Sequence, residues 1–359
     1  MTPPARVLVR LPNWLGDIVM AVPAVAALGR HFEGSTLVAA APEAFAALVS
    51  AVPGVDEVVP LAAATGWARV RHDAGAIAAA HADLAVLLTN SFGSALAARR
   101  AGVPERWGYA RDGRRWLLTR AVPRRHRGTH PGPHHSRYYL RLLDGLGIEA
   151  SPEPVRIDVP AAWHRRAADL LATRGVGPGR PIVGLAPGAA YGGAKRWPPA
   201  HVARLVVALA ERSNATAVLV GAGGDRGTGH EIESGVREAS RSVEAGGRLV
   251  NLIGATDLPT LAGIAARAAA FVSNDSGAMH LAAAVGTHVV ALFGPTDEQA
   301  TSPLGPHTIL ARDVFCRPCL LRECPIDHRC MKRITPDAVL DALWCHLAGG
   351  HVRPEGEGL

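Results

Sequence analysis

At 359 residues, 48% of them hydrophobic and 19% charged, the chain is longer than one hydrophobic core usually grows, which predicts two domains and excludes a disordered or fibrous protein. Arg, His, Asp, Pro or Gly interrupts every apolar run before it could span a bilayer, and the N-terminus lacks the apolar stretch and cleavage site of a secretory signal, so a cytoplasmic protein is expected. The net charge is +7 and there are five cysteines, which a reducing compartment would keep as free thiols or metal ligands.

Short apolar runs alternate with longer helix-periodic stretches, the signature of βαβ units and a parallel sheet. In the first half the pattern predicts strands at 6–10, 36–40, 55–59 and 84–88 and helices at 17–30, 42–51, 67–80 and 91–101. The first strand runs into Leu11-Pro12-Asn13-Trp14-Leu15-Gly16-Asp17. One glycine permits a tight strand-to-helix turn, without the GxGxxG of a dinucleotide site. Asp17 falls in the first helical turn. There a carboxylate either stabilises the helix N-terminus or acts as a general base for an attacking hydroxyl.

Residues 99–141 carry twelve arginines, Arg124, Arg125 and Arg127 among them, against Glu105 and Asp112 alone, an excess of +10. That concentration either solvates a loop or faces an anionic partner: nucleic acid, an acidic membrane or a phosphorylated substrate. Residues 111–135 read as a basic loop before a helix at 136–146. Aromatic residues make up 5% of the chain, and the stretch shows no aromatic-plus-basic platform, which disfavours nucleic acid.

Three prolines in 151–160 mark a linker, giving domains 1–155 and 156–335, with 336–359 as a C-terminal helix and tail. Alternation restarts with strands at 182–186, 217–220, 249–252, 270–273 and 289–293 and helices at 201–213, 230–241, 258–267 and 278–285. Several of these strands end in glycine-containing loops that would share one sheet edge, where open α/β folds bind ligands. The loop from Pro187 to Pro198 includes Gly188, Lys195 and Arg196. Its small residues let amides approach an anion and Lys195 adds a point charge, but no Ser or Thr follows the lysine, so it is not an ATPase P-loop. Gly221 to Asp225 adds a carboxylate suited to a ribose diol. Ser273 to His280 offers Asp275 for sugar hydroxyls and, at Ser276 and Gly277, the start of a helix suited to a pyrophosphate. His280 lies one turn further on, facing either the ligand or the core. No Asp-x-Asp pair stands ready for a catalytic metal, leaving Lys195, Arg196 and helix amides to meet leaving-group charge. Cys316, Cys319, Cys324 and Cys330 have the density of a metal-ligating knuckle, for structural zinc or an Fe–S cluster. The competing reading is a loop anchored by Leu320, Leu321 and Ile326.

Three segments, RLPNWLGDIVMAVPA at 10–24, PGAAYGGAKRWP at 187–198 and SNDSGAMHLAAAVGTHVVALFGPT at 273–296, resemble the signature segments of the bacterial ADP-heptose:lipopolysaccharide heptosyltransferases, most closely the type II branch. The resemblance implies a GT-B fold: two facing Rossmann-like α/β domains with parallel sheets and a cleft between them, the first for acceptor and the second for ADP-heptose. It implies Asp17 as general base and Lys195 as phosphate contact, with Asp275, Ser276, Gly277 and His280 on donor sugar and pyrophosphate. Thr256 would meet adenine and Asp225 ribose. The reaction would move L-glycero-D-manno-heptose, with inversion, onto the heptosyl-Kdo inner core of lipopolysaccharide. No cofactor is needed for that chemistry, and the arginines would face the acceptor's carboxylates and phosphates at the inner face of the cytoplasmic membrane. The cysteine cluster would be structural. Two other readings are an ADP-sugar transferase acting on a soluble secondary-metabolite acceptor, and a non-catalytic module binding a nucleotide sugar or nucleic acid.

Overall fold

The computed structural model describes residues 3–123, 134–151, 154–240 and 248–347, and the chain divides into two units, Met1–Asp158 and Val159–Leu359. In the first unit the elements follow in the order β1 (Arg6–Arg10), α1 (Leu15–His31), β2 (Thr36–Pro42), α2 (Glu43–Val49), β3 (Glu57–Leu61), α3 (Gly66–Ala79), β4 (Leu84–Leu87), α4 (Phe92–Arg100), β5 (Glu105–Tyr109), β6 (Arg120–Val122) and α5 (Ser136–Gly145). The six described strands form one sheet in the order β3-β2-β1-β4-β5-β6, with every neighbour parallel. β1 and β4 lie at its centre, Val7 in register with both Leu37 and Leu84. Helices cover both faces of such a strand, so its residues read as an unbroken apolar run.

The second unit contains α6 (Ala161–Thr173), β7 (Ile182–Ala186), α7 (Pro199–Arg212), β8 (Thr216–Leu219), α8 (Arg226–Ala239), β9 (Leu249–Asn251), α9 (Leu258–Arg267), β10 (Ala270–Asn274), α10 (Gly277–Ala284), β11 (Val289–Phe293), α11 (Glu298–Thr301), β12 (His307–Ala311), α12 (Arg329–Lys332) and α13 (Pro336–Leu347). Its sheet runs β12-β11-β10-β7-β8-β9, again parallel throughout. Counted from each unit's first strand, the two orders are the same. Strand order therefore reverses between β1 and β4 in one unit and between β7 and β10 in the other, and loops at the carboxyl ends of those pairs flank a ligand crevice. α13 packs into the second unit's core through Val339, Leu340 and Leu343.

Each sheet is wider than the alternation pattern predicts. β5 and β6 emerge from the arginine-rich stretch, and β12 lies at the far edge, all of its residues half-buried. Edge strands bury less and so carry mixed polarity, which blurs the apolar signal. α6 likewise gives no clear apolar pattern in the sequence: only Ala167 and Leu171 are buried on it.

Candidate active site

In the first unit a cavity of about 1010 Å³ opens at the carboxyl ends of β1, β4 and β5, lined by Asn13, Trp14 and Asp17, by Thr89, Asn90 and Ser91, and by Tyr109, Arg111, His134, His135, Tyr138, Tyr139 and Arg141. Asp17 sits in the first turn of α1, whose N-cap residue, Trp14, provides no side-chain cap bond. The loop between β1 and Asp17 is fixed from below. Arg10, only 2% exposed, donates to Asn13 Oδ1 at 2.7 Å, and Arg69 donates to the same oxygen at 3.0 Å. Burial depresses the Arg10 guanidinium to about 10, against the opposing effect of Asp73, so it remains a cation at neutral pH.

Asp17 Oδ1 lies 3.7 Å from His135 Nε2, and Tyr139 Oη lies 3.3 Å from that same nitrogen. Burial, with the nearby Asp17 and Tyr138 adding to it, holds the Tyr139 phenol well above its usual range, so it stays protonated. Tyr138 donates to Asn90 Oδ1 at 2.9 Å, while Tyr109 donates to the Tyr138 carbonyl at 2.8 Å. The result is a cavity of mixed polarity in which a carboxylate, an imidazole and two phenols stand close to one another.

Not all of the arginine excess is surface charge. Arg114 is fully buried and donates to the carbonyls of Tyr109 and Thr89 and, at 3.4 Å, to Ser94 Oγ. It thereby ties together the strand ends that build the cavity, and burial depresses its guanidinium to about 10. Arg106 is similarly committed to the carbonyls of Leu117, Val103 and Pro104. Arg124, Arg125 and Arg127 lie outside the described residues.

In the second unit, the loop after β7 and the loop after β10 meet. Lys195, in a 3₁₀ turn (Gly193–Lys195), places Nζ 2.6 Å from Asp275 Oδ2 and 4.9 Å from the centre of the Tyr191 ring. Both side chains are largely buried, at 13% and 5% exposure. Asn274, a residue the sequence did not single out, fixes the geometry: it donates to the Pro187 carbonyl at 2.7 Å and accepts from the Trp197 amide at 3.2 Å. Arg196 pairs with Asp225 Oδ1 at 3.3 Å. Gly188 lies beside them, and a Cβ there would displace the Asp225 carboxylate. Ser276 is the N-cap of α10, its Oγ 3.1 Å from Ser273 Oγ, and Gly277 is the first helical residue. His280 is 3% exposed on a helix buried from Met279 to Ala284. Thr256 lies half-buried in the turn after β9, beside Asp257, which caps α9.

The cysteine-rich loop holds this site together. Glu323 Oε1 accepts from the Gly193 amide at 3.0 Å, the Arg322 carbonyl accepts from the Ala194 amide at 2.8 Å, and Tyr191 Oη donates to the Leu320 carbonyl at 3.0 Å. His328 Nε2 meets the Ala194 carbonyl at 2.6 Å, and Arg317 donates to the Gly294 and Thr296 carbonyls. The metal expected at Cys316, Cys319, Cys324 and Cys330 is not supported. The four thiols border one small pocket with His328 and form no disulfide, but among the described residues no three His, Cys, Asp or Glu groups are arranged to hold an ion.

Comparison with known proteins agrees with this architecture. The model of glycosyltransferase family 9 (heptosyltransferase) matches residues 71–329. Lipooligosaccharide heptosyltransferase 2 of Haemophilus ducreyi is 30% identical over 355 residues, covering 94% of this chain and 98% of the relative. Lipopolysaccharide heptosyltransferase 2 of Escherichia coli K12 is 31% identical over 312 residues, covering 83% and 85%. The solved structure of E. coli ADP-heptose lipopolysaccharide heptosyltransferase II aligns with a TM-score of 0.79 at 28% identity, over 96% of this chain and 98% of that one.

Proposed function

The chain belongs to glycosyltransferase family 9, the heptosyltransferases, and from that premise we propose that it transfers heptose from ADP-heptose to the heptosyl-Kdo inner core of lipopolysaccharide. It is a glycosyltransferase of GT-B type. The observation that carries the reading is the equivalence of the two switch points: one holds Asp17 in an open cavity, the other the Lys195–Asp275 pair beside a helix start.

In this reaction the acceptor hydroxyl attacks the anomeric carbon from the face opposite ADP. Its proton passes to the Asp17 carboxylate as the new C–O bond forms. The old C–O bond breaks with its electron pair going to ADP, whose pyrophosphate charge is met by Lys195, Arg196 and the amides at Ser276 and Gly277. Asp275 and His280 contact the sugar and pyrophosphate, Asp225 the ribose and Thr256 the adenine, with Gly188 leaving room for the Asp225 carboxylate. Arg124, Arg125 and Arg127 attract the anionic acceptor. The chemistry needs no cofactor. Among the described residues no helix is long and apolar enough to cross a membrane, and the enzyme works as a peripheral protein at the inner face of the cytoplasmic membrane.

ADP release from ADP-heptose, measured with and without heptosyl-Kdo-lipid A, tests the proposal. Strong stimulation by that acceptor supports it. Release driven only by a soluble acceptor would replace it with the secondary-metabolite reading.

A further inference from the structure

The first unit carries a surface that the transfer reaction does not use. Trp67 at the start of α3 is 67% exposed, Trp116 in the 3₁₀ turn (Arg115–Leu117) is 64% exposed and Phe92 at the start of α4 is 37% exposed. They belong to one patch. The Phe92 and Trp116 rings lie 5.8 Å apart, Arg99 lies over Trp116 at 5.6 Å and Arg100 over Trp67 at 5.7 Å. Gly93 brings α4 against Val70 of α3, so the two tryptophans flank one helix. Arg115 is exposed beside them. α4 and the turn contain no carboxylate, and the acid of α3, Asp73, is buried against Arg69. The platform missing from the linear sequence is thus assembled by the fold, with Trp67 and Phe92 coming from outside the arginine-rich stretch.

We infer that this patch docks the enzyme on an anionic phospholipid surface, Trp67, Phe92 and Trp116 entering the headgroup region while Arg99, Arg100 and Arg115 meet lipid phosphates. Exposed large aromatics are costly on a freely soluble face but are favoured at a membrane interface, where amphipathic rings sit at headgroup level. Arginines add electrostatic attraction to anionic lipid. A guanidinium already lies over the ring of each tryptophan, which favours a phosphate layer over stacked nucleobases. Position argues the same way: Ser91, the N-cap of α4, lines the Asp17 cavity, and Phe92 follows it directly. A surface seated there brings a lipid-anchored acceptor to the cavity rim. This inference rests on the proposed use of a lipid-linked acceptor.

The test is sedimentation of the full chain with vesicles of phosphatidylglycerol and phosphatidylethanolamine, of phosphatidylcholine alone, and with a single-stranded oligonucleotide. The wild type is expected to bind the anionic vesicles, more weakly as salt rises, and to ignore phosphatidylcholine. Trp67→Ala/Trp116→Ala and Arg99→Glu/Arg100→Glu should each weaken that binding at least about tenfold. Brominated acyl chains should quench wild-type tryptophan emission far more than that of the double-alanine variant. On detergent-dispersed acceptor the double-alanine variant should keep the wild-type transfer rate, which separates loss of docking from misfolding. Unchanged vesicle binding in both variants, absence of wild-type binding to anionic vesicles, or a loss confined to oligonucleotide binding would each overturn the inference. Failure of the transfer assay on every acceptor, with the vesicle results intact, would instead count against the proposed function alone.

Discussion

The Lys195 ammonium lies 2.6 Å from the Asp275 carboxylate, so the cation offered by the loop after β7 is held by the residue that follows β10. Breaking a buried pair by removing one partner leaves the other charge uncompensated, at a cost of about 3–5 kcal/mol. Lys195→Ala should therefore lose stability of that order and, with the proposed phosphate contact gone, slow transfer by roughly 100-fold. Adding Asp275→Asn should return most of the stability without the turnover. Urea unfolding and single-turnover rates on the wild type and both variants check this; if stability and activity recovered together, Lys195 would be structural only.

Asp17 is the proposed base, and its substitution should separate chemistry from donor binding. Asp17→Asn is expected to cut turnover by roughly 100-fold or more while ADP-heptose affinity, measured by calorimetry, stays near wild type. A normal rate in that variant would exclude the role.

Arg114 supports the cavity without lining it. In Arg114→Met the Tyr109 and Thr89 carbonyls and Ser94 Oγ lose a charged donor, a loss of about 3 kcal/mol. The acceptor KM should rise as the strand ends loosen, while ADP affinity in the second unit stays constant. Chemical denaturation and acceptor titration measure both effects.

His288, stacked on His346 with ring centroids 3.6 Å apart, is held down to about 4 from its ordinary 6.5 by burial and then by His346 and His307. A histidine depressed in the fold takes up a proton more readily when unfolded. Its contribution is thus fully present above pH 6.5 and is lost as pH falls towards 4. The unscreened magnitude is about 3 kcal/mol, and on the order of 1–2 kcal/mol once the group's partial exposure is allowed for. His288→Gln should flatten the stability-versus-pH curve in that window, as read from urea midpoints across the range.

What the sequence reveals follows from where information is local. Central strands such as β1 and β10 are buried on both faces and so announce themselves as apolar runs. The residues after them, Asp17 and Asp275, are legible because strand ends in a doubly wound sheet are where ligands bind. The supports are not legible, because their partners are far away in the chain: Glu323 reaches Gly193 across 130 residues and Asn274 reaches Pro187 across 87. Counting arginines also overstates free surface charge, since Arg114 is buried against carbonyls and Arg106 is committed to carbonyls at the surface. The cysteine cluster misleads for a related reason. Its spacing suits a metal, whereas the contacts seen for its loop are hydrogen bonds of Arg322, Glu323 and His328 to the Lys195 turn.

Those contacts set an order of assembly during synthesis. The Lys195 turn leaves the ribosome well before the Leu320, Arg322 and Glu323 groups that fasten it, and before Ile334, whose carbonyl accepts from the Trp197 indole at 2.9 Å. Domains fold largely in the order they emerge, so the first unit, with its cavity, is complete while the second still lacks these fasteners. A nascent or prematurely terminated chain would thus present the proposed acceptor cavity before the proposed donor site is fastened, and competence for the donor would arrive only near the end of translation.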